Sequence, residues 1–245
     1  MADAAVIEPR REKNEPLLPA SGLLLLNPAD ISHAQTAGRG WQRHYLFHSN
    51  LYVAGTGEAF WCGPALGAPM AAICLEKIIA LGATRVIACG WCGSLRREVA
   101  VGDLVLPTVA VSEEGTSTHY PVAGMVASSP ALRRRLKESF LPLATVHEGP
   151  VWTTDALYRE TGEKVERYGR AGVLAVDMEF SALAQVAAFR GVDLAAVLLV
   201  SDLVWHEPWQ PSFRSKEFRR RTRDVVERLF ALLGEGEEGQ RAVVR

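Results

Sequence analysis

Residues 68–94 read APMAAICLEKIIALGATRVIACGWCGS. Apolar residues recur at helical spacing as far as Leu81, Gly82 is placed to end a helix, and the run 85–90 is short, apolar and closed by glycine, as a buried strand is. The same alternation extends along the chain. Segments 22–27, 50–55, 85–90, 103–111, 173–178 and 194–202 have strand character, several of them apolar throughout, which suits a sheet covered on both faces. Helical patterns lie between them: 68–81, then EFSALAQVAAFRG ending at Gly191, then an amphipathic stretch 215–233. This order predicts an α/β fold, a single-domain three-layer sandwich with helices on both sides of a sheet.

A chain of 245 residues with 48% hydrophobic content suits one domain, expected over 20–233 with loose tails at 1–19 and 234–245. A net charge of -1 offers no basic field for nucleic acid, so the expected partner is a small, roughly neutral molecule. No apolar run reaches the length of a membrane span and no signal-peptide pattern opens the chain, so a cytoplasmic protein with reduced cysteines and no membrane partner is expected.

The turn Cys89-Gly90-Trp91-Cys92-Gly93 raises three readings: a redox pair, half of a metal site, or a glycine turn holding two thiols. A redox pair needs a helix opening after the second cysteine to lower the first thiol's pKa, and SLRREVAVGDLVLPTVAV has no such pattern. Cys62 and Cys74 are widely spaced with no histidine pair near, so no metal and no cofactor is expected. Ligands in α/β sheets gather where strands end. There Asp177 and Glu179 flank Met178 ahead of an apolar helix, where they can cap the helix, accept hydrogen bonds from a sugar diol, or both. Asp202 ends LAAVLLVSD; it can cap the next segment with Ser201, or, if buried, hold a proton near neutral pH and donate it to a leaving group.

These segments taken together, with VGDLV, EEGTSTHY, VDMEFSAL and VSD in order, resemble the nucleoside phosphorylase family, which includes purine nucleoside phosphorylases, uridine phosphorylases and nucleosidases. The resemblance runs from about residue 22 to 202. It implies a mixed β-sheet flanked by helices, of phosphorylase/hydrolase-like fold, and cleavage of a nucleoside's C1′–N bond by phosphate or water in a dimer or hexamer. It places Gly90, Trp91, Cys92 and Gly93 in the turn at the nucleophile site, Met178 and Glu179 at the ribose, and Ser201 and Asp202 at the base, with Asp202 facing a purine N7. Leu157 and Tyr158 of TTDALY fall beside the base, although a core role for Leu157 is equally open.

The departures bear on the nucleophile. Where phosphorylases of the family carry Gly-Asp-Pro-x-Arg after the first strand, this chain has Leu26-Asn27-Pro28-Ala29-Asp30, and Ala88 and Trp91 stand where the family places an arginine and a hydroxyl. Only Arg43 matches a family arginine, one lent across a subunit interface. An acid and an indole do not cradle phosphate, so water is expected as the nucleophile, with Asp30 either activating it or capping the following helix. True phosphorolysis and nucleoside binding without catalysis are the alternatives. EEGTSTHY and the aromatic loop Trp205-His206-Glu207-Pro208-Trp209 stay open between loop packing and a part in the site.

Overall fold

The computed structural model describes residues 5–47 and 49–234. Its elements run β1 (Ser21–Leu25), a 3-10 turn (Pro28–Asp30), α1 (Ile31–Ala37), β2 (Gln42–Leu46), β3 (Ser49–Val53), β4 (Phe60–Gly63), α2 (Ala68–Ala80), β5 (Arg85–Ser94) and β6 (Leu104–Glu113). There follow a second 3-10 turn (Thr116–His119), α3 (Pro130–Phe140), β7 (Val146–Thr154), a third 3-10 turn (Leu157–Arg159), α4 (Gly162–Arg170), β8 (Ala175–Asp177), α5 (Phe180–Arg190), β9 (Asp193–Leu203), β10 (Gln210–Pro211) and α6 (Lys216–Gly234).

All the strands join one mixed sheet in the order β10-β9-β6-β7-β8-β5-β1-β4-β3-β2. β5 also pairs in parallel with β9 along its whole length, so β5, β9, β6, β7 and β8 close into a ring from which β1, β4, β3 and β2 extend. Helices cover both sides. Along β9, Leu194, Ala196, Leu198 and Val200 pack into a core with Leu75 and Ile78 of α2 and Phe180, Leu183 and Val186 of α5. The alternate residues Ala195, Val197 and Leu199 pack into a second core with Leu136 of α3 and Val226 and Leu229 of α6. Period-two side-chain direction thus gives each face of the strand its own helical layer, and explains why its sequence is apolar without interruption. The expected α/β sandwich is the observed fold.

Helix ends follow the residues that precede or close them. Gly191 adopts φ 68° at the end of α5, a left-handed conformation that costs glycine little. Asn27 caps the first 3-10 turn by accepting from the Ala29 N–H at 2.9 Å. Within the stretch expected as a leading tail, Leu18 is buried and its N–H donates to the Leu81 carbonyl at 2.8 Å, while Glu15 pairs with Lys77 at 2.6 Å. Residues 1–4 and 235–245, the rest of the expected tails, lie outside the described residues.

Candidate active site

β5 carries the glycine turn inside a strand that runs through to Ser94 with a register shift against β9 between Cys92 and Gly93, and Cys89 and Cys92 point to opposite faces. Cys89 packs in the α6-side core and Cys92 in the α2/α5-side core. Burial pushes both thiols well above their usual pKa, the charge of Asp30 adding to it at Cys89 and those of Asp177 and Asp202 at Cys92. Two buried, divergent, protonated thiols are not a redox pair. The glycines instead permit close approach: a Cβ on Gly93 would lie 2.3 Å from Val204 Cγ2 and 3.1 Å from Asp202 Oδ2, and one on Gly90 would lie 2.8 Å from Leu26 Cδ1.

Around Cys92 the structure gathers most of the residues singled out in the sequence. Asp177, at the end of β8, accepts from Thr153 Oγ1 at 2.6 Å and from the Phe180 N–H at 2.7 Å, and so caps α5. Glu179 is buried, with Oε1 accepting from the Gly67 N–H at 2.6 Å ahead of α2. Burial, then the charge of Asp177, raises the pKa of Glu179. Met178 lies half-buried between the two acids. Both readings from the sequence are compatible with this arrangement: the cap belongs to Asp177, and the Glu179 carboxyl draws on the backbone N–H groups of Gly67 and Met178.

Asp202 is 8% exposed at the end of β9, beside Gly93 in the sheet. Its Oδ1 accepts from Ser201 Oγ at 2.6 Å and its Oδ2 from Trp209 Nε1 at 2.8 Å. The aromatic loop therefore folds back over the strand end, with Trp209 reaching the site and Trp205 stacked under Arg97 instead. Leu157 and Tyr158 stand on the third 3-10 turn, 46% and 96% exposed, so Leu157 is not a core residue. One neighbour was missed in the sequence: Glu160, the residue after that turn. Burial, then the charge of Asp202, pushes its pKa up to about 7. No spacing rule singles it out, since its proximity to Asp202 arises only when β7 and β9 come together in the ring.

Asp30 forms a second group on the α6 side of β5. Its carboxyl is fully buried, its pKa pushed up to about 7 by burial, and Trp91 lies close enough to offset part of that rise. Neither Asp30 oxygen nor Trp91 Nε1 has a partner within hydrogen-bond geometry. Trp91 is packed edge-on against Phe218 and stacked on Phe213, which in turn meets Trp209, so an aromatic run links the Asp30 group to Asp202. Asp30 makes no side-chain hydrogen bond to α1, which sets aside the capping role. Arg43 lies on the exposed face of β2, held by Asn50 Oδ1 at 2.7 Å, and joins neither group.

Of EEGTSTHY, Glu114 is structural: burial works against its charge, yet donors from Ser117, Ser181 and Ser112 outweigh it and hold its pKa low. His119 and Tyr120 line a surface groove of about 480 Å³ with Pro69, Ile73, Thr116 and Asp155.

Comparison with known proteins gives the family. A family model of the phosphorylase superfamily matches residues 21–235. The guanosine phosphorylase of Halorubrum lacusprofundi is 30% identical over 173 residues, 70% of this chain and 72% of that protein. A DeoD-type purine nucleoside phosphorylase of Bacillus thuringiensis is 31% identical over 150 residues, 58% of this chain and 63% of that protein, so the match spans a little under two thirds of it. In fold the chain is similar to the uridine phosphorylase of Vibrio fischeri, with a TM-score of 0.73, 23% identity and coverage of 88% and 89% of the two chains. It is also similar to the purine nucleoside phosphorylase of Toxoplasma gondii in complex with immucillin-H, with a TM-score of 0.75, 19% identity and coverage of 89% and 93%. With nearly all of the described chain inside the family model, the protein belongs to the phosphorylase superfamily.

Proposed function

We propose that this protein is an enzyme that cleaves the N-glycosidic bond of a nucleoside with a purine-type base, and that water attacks C1′ in preference to phosphate. The sugar rests on Met178 and Glu179, with the carboxylate of Glu179 accepting from the ribose diol. The base lies between the Leu157–Tyr158 turn and the Trp209 loop, with its imidazole edge toward Ser201 and Asp202. The names of the relatives, guanosine phosphorylase and purine nucleoside phosphorylase, support a purine.

One observation carries the choice of nucleophile: Asp30, buried and without a hydrogen-bond partner, lies against Trp91 at the strand end where phosphate would need cations. A dianion entering there would lose its hydration and meet a carboxylate. A carboxyl that titrates near neutrality is instead suited to take a proton from water. The relatives favour a second reading, phosphorolysis, in an assembly where the partner's copy of the exposed β2 edge brings Arg43 to the site. We accordingly place the protein in the cytoplasm as a homo-oligomer, a dimer or hexamer.

Cleavage of inosine, guanosine, adenosine and uridine, with phosphate absent and then saturating, tests both readings by product. Free ribose in both conditions supports hydrolysis. Ribose 1-phosphate formed only with phosphate overturns it in favour of phosphorolysis, and binding without turnover in either condition overturns catalysis.

A further inference from the structure

We propose that Trp209 is a positioning residue for the departing base: its indole N–H commits one oxygen of Asp202 to accepting, so that the proton the base receives is carried on the other oxygen alone. This rests on the assignment of nucleoside cleavage above. Trp209 Nε1 lies 2.8 Å from Asp202 Oδ2, and an indole nitrogen can donate but not accept. Oδ2 is therefore an acceptor whether Asp202 is ionised or protonated. Oδ1 has a more versatile partner in Ser201 Oγ, 2.6 Å away, which donates to it when the carboxyl is ionised. When Oδ1 carries a hydrogen, the same hydroxyl accepts it and turns its own hydrogen to the Cys92 carbonyl at 3.2 Å.

The loop is built to deliver this bond. β10 returns antiparallel along β9 with Pro211 opposite Asp202, and the Ser212 N–H donates to the Ser201 carbonyl at 2.9 Å, so the chain just after Trp209 is tied to the strand end it serves. The Trp209 ring meets Phe213 at 6.1 Å, and Phe213 in turn stacks on Trp91. Gly93 leaves room beside Oδ2, since a Cβ there would lie 3.1 Å from it. Tryptophans kept for packing behave differently in this chain: Trp61, Trp91, Trp152 and Trp205 leave Nε1 buried without a partner. Trp209 reverses that pattern, with its ring 52% exposed and its nitrogen bonded to a buried carboxyl. A ring left half in solvent gains little from burial, so the bond and not packing accounts for its place.

As the C1′–N9 bond breaks, its electron pair enters the base and the proton on Oδ1 passes to N7 of the purine. Ser201 then turns its hydrogen from the Cys92 carbonyl to Oδ1. The oxygen of water bonds to C1′ and releases its proton by way of Asp30 to solvent, and Asp202 regains a proton from solvent before the next turnover. Throughout, the Trp209 N–H keeps Oδ2 in place and stabilises the charge that forms on the carboxylate. Without that N–H the proton is shared between two oxygens and the carboxyl is free to turn, so fewer bound substrates have the proton aimed at N7.

Trp209→Phe in the full chain keeps a ring on the loop and removes the donor. Inosine and 7-methylinosine separate proton delivery from any disturbance of the loop, because the methylated base is already positive at N7 and leaves without a proton. In Trp209→Phe, kcat for inosine should fall about 10-fold more than kcat for 7-methylinosine, with KM for inosine within about 2-fold of wild type. The double variant Trp209→Phe with Asp202→Asn should cleave inosine no more slowly than Asp202→Asn alone. In proton–nitrogen NMR spectra the indole N–H of Trp209, assigned by its loss in Trp209→Phe, should exchange slowly with solvent in the wild type and rapidly in Asp202→Ala. Equal falls of kcat for the two substrates, additive losses in the double variant, or equally fast exchange in the wild type and Asp202→Ala would each overturn the proposal. If the wild-type protein cleaves neither nucleoside, the functional reading fails, and the exchange measurement still decides whether Trp209 holds Asp202.

Discussion

The backbone N–H of Gly67 donates to Oε1 of Glu179 at 2.6 Å, joining the start of α2 to the start of α5 across 112 residues of sequence. The bond needs an acceptor, not a charge. Glu179→Gln keeps an amide oxygen for Gly67, so thermal unfolding should change little, while nucleoside affinity measured by calorimetry above about pH 8 should fall by about 1–3 kcal/mol because the diol there loses an ionised acceptor. The pH dependence separates this from simple misplacement. Burial and Asp177 raise the pKa of Glu179, so wild-type affinity should grow on the alkaline side of neutrality and that of Glu179→Gln should stay flat. Equal affinities in the two proteins would remove Glu179 from the ribose site.

Asp30 is expected to trade stability for activity. Below about pH 4 its carboxyl is protonated in the folded and unfolded chains alike and costs nothing through ionisation. Between about pH 4 and 7 the folded chain keeps the proton that the unfolded chain has released, so stability falls as pH rises, by about 4 kcal/mol in all once pH exceeds 7. Asp30→Asn lacks this dependence. Its stability relative to wild type in urea titrations should climb by roughly that amount from pH 4 to pH 8, and its nucleoside hydrolysis should lose the acid limb of the pH profile. A difference that does not vary with pH would show that Asp30 is not buried as an acid.

Asp202→Asn should slow purine nucleoside cleavage by about 10² or more while leaving the melting temperature within a few degrees. The amide can still accept from Trp209 through its oxygen and donate to Ser201 Oγ, so the strand end keeps its bonds. A large fall in melting temperature would mark Asp202 as chiefly a structural residue.

Gly93→Ala and Gly90→Ala form a matched pair. The added methyl at Gly93 meets Val204 at 2.3 Å and presses on Asp202 Oδ2, whereas at Gly90 it meets only the Leu26 side chain. Each should lose about 1–3 kcal/mol of stability by overpacking. Cleavage should suffer far more at Gly93, in a comparison of kcat at a temperature where both variants are folded. Equal losses of kcat would detach Gly93 from the Asp202 site.

What the sequence disclosed depended on burial and on length, since β4, buried throughout, spans only Phe60–Gly63 and was not read. The six strands read from it match β1, β3, β5, β6, β8 and β9, which are apolar because helices or neighbouring strands cover them. β2 escaped notice because Gln42, Arg43 and Tyr45 face solvent at the sheet edge, and most of β7 because Gly149 and Pro150 interrupt VHEGPVWTT. Helix α4 is short and mostly charged, with one buried residue, Val165, to signal a face. At the site, Asp177, Glu179 and Asp202 were legible because each ends or follows an apolar strand. Glu160 was not, since it acquires its meaning from Asp202, 42 positions later, while Trp209 was read only as part of an aromatic loop open between packing and a part in the site. Trp91 was read as part of a turn, yet its ring lies among Phe213 and Phe218, contacts that only the placement of α6 and the segment leading into it creates.

The ring of β5, β9, β6, β7 and β8 divides the chain into a part that resists change and a part that invites it. Strands paired on both sides cannot slip by one residue without turning every core side chain outward, so the spacing of Asp177, Cys92 and Asp202 is inherited as a unit. The turn that carries Leu157, Tyr158 and Glu160 and the loop that carries Trp209 hang from the ends of that frame, with large exposed surfaces and few core contacts. On the proposed assignment, new preferences for base or leaving group can be selected by editing these two appendages, residues 155–162 and 204–211, while the frame assigned to the sugar stays as it is.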